Sequence, residues 1–212
     1  MTTRRPCRPS RAERRGFIAV ALRAIGVAAA IAATPTHAAG FDLGALTTLL
    51  GRVRSGEATF VETRRIEMLD RTLQSSGRLS FKAPDSFVRE TLKPRHEKLA
   101  VDGNTLTMSL GERSRTMQLD ASPEAAVIVE AIRGTLTGNR ATLERLFETT
   151  VSGDAARWSL DLVPRDLRLR GQVAAVRVSG RDAAAREVEV RLADGDRSVM
   201  TIEPVTPARA TP

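Results

Sequence analysis

Few side chains in this sequence are of the types that carry out catalysis or bind transition metals. The chain of 212 residues contains one cysteine, Cys7, and two histidines, His37 and His96, and it has no tyrosine. Cysteine nucleophiles, zinc sites built on cysteine and histidine, and serine–histidine–aspartate triads all need these residue types. The positions of the three residues therefore decide which chemistry is open to the protein.

The first 38 residues have the three parts of a bacterial export signal. An arginine-rich start precedes an apolar, alanine-rich run at 17–33, and Thr36 and Ala38 are small residues where a signal peptidase recognises them. We expect cleavage after Ala38, with an uncleaved membrane anchor as the alternative. The Arg14-Arg15 pair leaves the export route open between the general secretory (Sec) and twin-arginine (Tat) pathways. Seven arginines and one acid in this segment account for six of the eight net positive charges.

The predicted mature part has almost no residues for reaction chemistry. Cleavage removes Cys7 and leaves His96 as the one imidazole, in a polar stretch that enters a predicted strand. Because the sequence has no G-x-S-x-G elbow and no glycine-rich phosphate loop, a solvated His96 at a strand edge is a better interpretation than a catalytic one. The remaining 23 arginines and three lysines are interleaved with 24 acids. With few aromatic residues and no basic block, this pattern argues against nucleic-acid binding.

The elements that would position any site are mostly short strands. Leucines at helical spacing behind Asp42 predict a first helix that ends near Leu50. From 57 to 119 the apolar residues recur at every second position between turn signals, which predicts antiparallel strands at 58–68, 72–82, 87–93, 98–101, 105–110 and 115–119. A second series of strands is predicted at 147–151, 156–163, 167–170, 173–179, 187–192 and 199–203.

Two helices are predicted between the two series of strands. Ser122 and Pro123 form a start signal for the first helix, and Asn139 can cap the second. Ten to twelve short strands are too many for a flat sheet, so we predict one α+β, mainly β domain at 39–204, with a strongly curved antiparallel sheet (an incomplete β-barrel) and a helical lid or plug. Such helices either fill the concave face as a core or leave a cavity for an apolar guest. Residues 205–212 are predicted to be a flexible tail.

Five motifs in order and in register carry a family resemblance. Together they resemble the outer-membrane lipoprotein carrier protein family, LolA and its relatives, over residues from about 42 to 203. Each motif alone is a generic strand or turn pattern, and the resemblance rests on their order behind a signal peptide. The motifs lie at 77–87, Pro94, 102–106, 136–147 and 158–164.

The resemblance implies a periplasmic, cofactor-free shuttle that is not an enzyme. Its fold would be an incomplete β-barrel closed by a helical lid, with an apolar cavity for the acyl chains of a lipoprotein that passes from an inner-membrane exporter to an outer-membrane acceptor. Burial of an acyl chain is favourable by about 0.8 kcal/mol per CH₂, so an apolar container needs no catalytic residue and no metal. The resemblance also implies a monomer that binds no nucleic acid.

The sequence departs from the family pattern at positions near the expected lid contact. The family's arginine directly before the proline, thought to tie the barrel to the lid, is Ala83 here, and Arg89 and Met108 stand near positions that are often aromatic. We therefore interpret the chain as a divergent member whose cargo is a lipoprotein or another lipid, such as a glycolipid or a pigment-like lipid. Arg89 is expected to be a solvated strand arginine, with substitution for the missing contact as the alternative.

Nine apolar residues are the predicted contacts of an acyl chain. The leading hypothesis is a carrier, and the alternative is a regulatory module on the same fold that senses lipid or an unfolded partner without transporting it. An enzyme that acts on lipid is the least favoured hypothesis. The nine residues are Leu79, Phe81, Phe87, Trp158, Leu160 and Leu162 from the sheet and Ile128, Ile132 and Leu136 from the lid.

Overall fold

The structure, a computed structural model, describes residues 40–205. The predicted signal peptide at 1–38 and residues 206–212 of the predicted tail lie outside this range. Within it the chain forms eleven strands and four α-helices. The strands are β1 (Ser55–Ile66), β2 (Arg71–Lys82), β3 (Ser86–Lys93), β4 (Glu97–Asp102), β5 (Thr105–Leu110), β6 (Arg113–Gln118), β7 (Phe147–Asp154), β8 (Arg157–Pro164), β9 (Val173–Arg181), β10 (Ala184–Leu192) and β11 (Arg197–Pro204).

All eleven strands belong to one antiparallel sheet in the order β6-β5-β4-β3-β2-β1-β11-β10-β9-β8-β7. Strands β1 to β6 form one meander and β7 to β11 another. The two meanders join where β1 pairs with β11, which brings Ala58 opposite Pro204 and Arg65 opposite Arg197. The sheet does not close, because β6 and β7 remain its two edges. This arrangement confirms the predicted fold class, a curved incomplete barrel with helices.

Four helices accompany the sheet, and no helix within residues 40–205 is long and apolar enough to cross a membrane. Asp42 caps α1 through a 2.8 Å hydrogen bond from Ala45 N, and Asn139 caps α3 through a 3.0 Å hydrogen bond from Thr142 N. Ser122 precedes α2 but makes no capping hydrogen bond, contrary to prediction. Pro123 begins α2 and has no N–H that would need a cap. The helices are α1 (Leu43–Leu50), α2 (Pro123–Leu136), α3 (Arg140–Leu146) and α4 (Leu167–Arg170).

The short helix α4 replaces a predicted strand. The alternating leucines and arginines at 167–170 have the apolar period of a strand, but four residues are too few to separate that period from a single helical turn. Asp166 decides the conformation by accepting a 2.7 Å hydrogen bond from Arg168 N. Leu167 is 76% exposed while Leu169 packs against the larger core cluster, so the two leucines do not share one buried strand face. The other eleven predicted strands each overlap an observed strand.

Two packed clusters lie on the concave face of the sheet, and α2 contributes to both. The larger joins α1, α2 and α3 to strands β7 to β10, with Leu46, Ala131, Leu143 and Leu160 fully buried. The smaller places α2 against Val101 and Leu106 of β4 and β5, together with Leu119. In the strand order β11, β1 and β2 lie between these clusters, and the helices do not fill the concave face there.

Candidate functional site

A cavity of about 440 Å³ separates α2 from the centre of the sheet. Its volume falls within the range of roughly 300–1,000 Å³ that is usual for small-molecule sites. Most of its lining is aliphatic or aromatic, and it comes from strands on both sides of the junction between β1 and β11. The large apolar lining residues are Leu79, Phe81, Phe87, Leu99, Leu106, Val178, Val188, Val190, Leu192, Met200 and Ile202 of the sheet, Val53 just before β1, and Ile128, Val129, Ile132 and Leu136 of α2.

Six of the nine residues predicted to contact an acyl chain line this cavity. They are Leu79, Phe81 and Phe87 from β2 and β3 and Ile128, Ile132 and Leu136 from α2. Their role in binding remains a prediction.

The other three, Trp158, Leu160 and Leu162, belong to the larger packed cluster. Each is at most 2% exposed, and Trp158 Nε1 donates a 2.9 Å hydrogen bond to Asp182 O. Strand β8 does present them on the concave face, as its alternation predicts. The helices cover that part of the face completely, so these three side chains do not line the cavity.

Three neighbouring strands change from apolar to polar along the cavity in the same direction. The pairing register of the strands gives the direction of this change. Ala58 and Glu62 of β1 are opposite Leu79 and Ser75 of β2, and Phe60 of β1 is opposite Ile202 of β11. Polar side chains on the inner face are therefore grouped toward one end, where Met200 and Val190 remain as apolar neighbours. The apolar and polar residues, in that order, are Ala58 and Glu62 on β1, Leu79 and Ser75 on β2, and Ile202 and Ser198 on β11.

Arg89 lies at the polar end in an ion pair with Glu62. Its Nη2 donates to the Glu62 carboxylate and to Ser75 Oγ at 3.3 Å, and Ser198 Oγ also donates to Glu62. The guanidinium carbon lies 4.9 Å from the centre of the Phe60 ring, within the range of a cation–π contact. Arg89 is 28% exposed and Glu62 15%. The prediction of a solvated strand arginine is therefore wrong, because β3 directs this side chain onto the concave face.

A second ion pair lies at the same end of the cavity. Arg64 Nη2 is 3.0 Å from Asp196 Oδ2, and Asp196 Oδ1 accepts a 3.1 Å hydrogen bond from Glu67 N. These contacts tie the end of β1 to the turn between β10 and β11. Asp196 is 8% exposed, so its charge depends on these partners for compensation.

His96 lies outside the cavity, in the turn between β3 and β4. Its side chain is 61% exposed, with Nε2 at 2.9 Å from Glu90 Oε1, which confirms the interpretation as a solvated edge residue. The hydrogen bond to His96 lowers the pKa of Glu90 below its ordinary value. Among residues 40–205 no group of three or more histidine, cysteine or carboxylate side chains could hold a metal ion.

The sequence matches a family model described as outer membrane lipoprotein carrier protein LolA-like over residues 32–208. The chain belongs to this LolA-like family. No curated protein matches the sequence.

Several solved structures resemble the LolA-like chain remotely. A LolA superfamily protein from Nitrosomonas europaea is 11% identical, with 77% of this chain and 93% of that chain covered and a TM-score of 0.41. MucB of Pseudomonas aeruginosa, in a complex with MucA, is 15% identical, with 78% and 56% covered and a TM-score of 0.43. LprF from Mycobacterium bovis is 10% identical, with 80% and 94% covered and a TM-score of 0.36. Similarities at these scores carry no information about function.

In this LolA-like protein an arginine of the lid helix α2 makes a contact between lid and sheet. Arg133 Nη2 donates a 2.6 Å hydrogen bond to Gly103 O in the turn between β4 and β5, and its Nη1 donates a 2.7 Å hydrogen bond to Glu130 Oε1. Ala83 has no side-chain donor, and its backbone N–H donates to Arg54 O at 2.8 Å. The donor therefore comes from the lid and the acceptor from the sheet.

Proposed function

We propose that this protein is a periplasmic carrier that binds acyl chains of lipoproteins or of another lipid in the cavity under α2 and shuttles them toward the outer membrane. The observation that carries the proposal is a cavity of about 440 Å³ whose lining is mostly apolar, with the Glu62–Arg89 and Arg64–Asp196 ion pairs grouped at one end. An amphiphile with one acyl chain and a polar head group likewise has a long apolar part and a polar part at one end. The chain is bound and released without reaction, and neither metal nor cofactor takes part.

The free energy for binding comes from removing the acyl chain from water. Each buried CH₂ group contributes about 0.8 kcal/mol, so a chain of ordinary length gains more than the cost of immobilising it. The apolar side chains that line the cavity belong to well-packed strands and to α2, so few of them need to be ordered on binding. A preformed site of this kind favours affinity.

The compartment and partners follow from the same proposal. The predicted leader at 1–38 would direct the chain to the periplasm and would be removed there. We propose that an inner-membrane exporter supplies the lipid and that an outer-membrane acceptor takes it, in accordance with the family description of an outer membrane lipoprotein carrier. In such a relay the monomer protects the acyl chains from water between the two membranes.

Extraction of the protein purified from the periplasm, followed by lipid mass spectrometry, is the direct test. We expect an acylated lipid in a stoichiometric or near-stoichiometric amount. Repeated recovery of protein without lipid, together with failure to bind any added acyl probe, would refute the proposal.

A matched pair of variants on β1 locates the binding site. Ala58 lines the cavity, whereas its neighbour Thr59 is exposed on the opposite face of the strand. Ala58→Phe places a ring in the cavity and is expected to weaken binding of a fluorescent fatty acid ester by about tenfold or more, because the ring occupies the volume of several methylene groups. Thr59→Phe is the control and should bind as the wild type does. Equal binding by both variants would place the lipid elsewhere.

A further inference from the structure

The charged groups of the cavity bear on which acyl compounds it accepts. Three arginines line it, Arg64, Arg89 and Arg197, and each forms an ion pair, with Asp196, Glu62 and Glu189 respectively. Four acids also line it, which gives the lining a net charge of minus one. The acids are Glu57, Glu62, Glu124 and Asp196.

Arg89 is the arginine best placed to attract the carboxylate of a free fatty acid. It lies beside the apolar side chains Leu79 and Phe87 and reaches the polar end of the cavity. Glu62 neutralises it, however, at hydrogen-bond distance and with little exposure to solvent. Charges interact strongly in such partly buried positions, because water and salt screen them poorly. A second carboxylate near Arg89 would therefore be repelled by Glu62.

Glu62 supplies the negative charge that compensates the positive charge of Arg89. Nη2 of Arg89 donates to Glu62 and Ser75, whereas its Nε is buried and has no hydrogen-bond partner in the described part of the chain. The Phe60 ring adds a cation–π contact but no negative charge. If Glu62 lost its charge, the positive charge of Arg89 would no longer be compensated and would attract anions into the cavity.

We infer that Glu62 makes the cavity selective for acyl chains held in uncharged ester or amide linkage and excludes free fatty acid anions. This inference rests on the proposed function and names the chemical class of its ligand. The ester or amide carbonyl accepts hydrogen bonds without bringing a charge, so it can lie at the polar end beside the Glu62–Arg89 pair. An ionised carboxyl group cannot do so without electrostatic cost.

The test compares cis-parinaric acid with its methyl ester, two fluorescent probes that share one polyene chain. Binding is measured at about pH 8, where carboxylic acids are ionised. We expect the wild type to bind the ester at least about tenfold more tightly than the acid. Glu62→Gln keeps a hydrogen-bond acceptor for Arg89 and removes the charge, so it should reduce the ratio of the two affinities by about tenfold by strengthening acid binding.

Two further variants separate this effect from a general change in charge or stability. Glu112→Gln removes the same charge from an exposed turn position outside the cavity lining, so it should leave the ratio close to that of the wild type. The double variant Glu62→Gln with Arg89→Met removes both members of the pair and should lose the gained affinity for the acid. Circular dichroism verifies that each variant is folded before its affinities are compared.

The outcomes distinguish this inference from the proposed function. If neither probe binds the wild type, the carrier proposal is refuted, and the inference about selectivity is refuted as well. If both bind the wild type with equal affinity, or if Glu62→Gln leaves the ratio unchanged in a folded protein, the cavity is a lipid site but Glu62 does not select its ligand.

Discussion

Leu160 of β8 and Leu136 of α2 both lie between the sheet and the helices, yet truncation of the two side chains is expected to have different effects. Leu160 is 0% exposed in the packed cluster of β8, whereas Leu136 lines the cavity. Leu160→Ala should lower the free energy of unfolding by about 2–5 kcal/mol, because it leaves a void among close-packed atoms. Leu136→Ala removes contacts with a ligand instead, and it should weaken probe binding with a smaller loss of stability.

Urea unfolding and titration with the methyl ester probe measure these two effects. Probe affinity of folded Leu160→Ala should remain close to that of the wild type. If Leu160→Ala abolished binding at full stability, the cavity would extend beneath β8, contrary to the packing described above.

The pair formed by His96 and Glu90 makes a prediction about titration. His96→Ala removes the hydrogen bond that lowers the pKa of Glu90, so this pKa should rise toward its ordinary value. Because the folded-state pKa is the lower one, the pair stabilises the fold above the ordinary pKa of a glutamate, and this contribution is lost as the pH falls through the folded-state value. NMR titration of the Glu90 side-chain carboxyl carbon measures the shift, and an unchanged pKa in the variant would contradict it.

The apolar part of the site was more predictable from the sequence than its polar part. Period-two alternation placed Leu79, Phe81 and Phe87 on one face, and helical spacing placed Ile128 and Ile132 together. Alternation says which face a residue occupies but not which part of that face the helices cover, so it could not separate Leu160 from the cavity. The Glu62–Arg89 pair depends on the mutual register of β1, β2 and β3, and the only available signal was a charged residue two positions after Phe60.

At the scale of elements, the junction of α1, α2 and α3 depends on a glycine. Gly138 has a φ of +65°, and a Cβ added to it would overlap Thr47 O at the end of α1. Gly111 has a similar φ of +58°, but an added Cβ would meet nothing within 4 Å. The two positions therefore share a backbone conformation and differ in their surroundings.

Replacement of each of these glycines by alanine separates the free-energy cost of the left-handed backbone conformation from that of the steric overlap with α1. Gly111→Ala should lower the free energy of unfolding by about 1–2 kcal/mol, the cost of a left-handed conformation for a residue with a Cβ. Gly138→Ala should cost clearly more, because α1 must also move away from the turn between α2 and α3. Urea unfolding measures both, and an equal loss in the two variants would mean that the helices adjust without cost.

Element positions followed largely from local signals, and the exceptions have local causes. The caps Asp42 and Asn139, and the turn signal Asp102-Gly103 between β4 and β5, act over three or four residues, so their effects could be predicted. In the segment 167–170 the same short range was misleading, since a capping aspartate outweighs an alternation of four residues. The pairing of β1 with β11 brings together residues that are more than 130 positions apart in the sequence, at the centre of the sheet, and no local pattern specifies it.

At the scale of the whole molecule, the lid is held at one side by a hydrogen bond from Arg133 to Gly103 O. Arg133→Met keeps the length of the side chain and removes its donors, so α2 should open more often. We expect faster release of the methyl ester probe in stopped-flow measurements, by about three- to tenfold, which corresponds to the loss of one hydrogen bond. Arg145→Met on α3 is the control, because Arg145 is exposed and lies outside the cavity lining. Unchanged release from Arg133→Met would mean that the lid opens elsewhere or that the probe leaves by another route.

The junction of β1 with β11 has a consequence for the order in which the protein matures. Each meander folds from contacts close in sequence, but the walls of the cavity come from both meanders and meet only at this junction, where Ala58 faces Pro204. Before β11 has paired with β1, the chain can already have hairpins and helices, but the walls of the cavity have not yet come together. If the protein is the carrier proposed above, it cannot take up a lipid until its final strand is in place, so completion of folding would itself prevent premature binding.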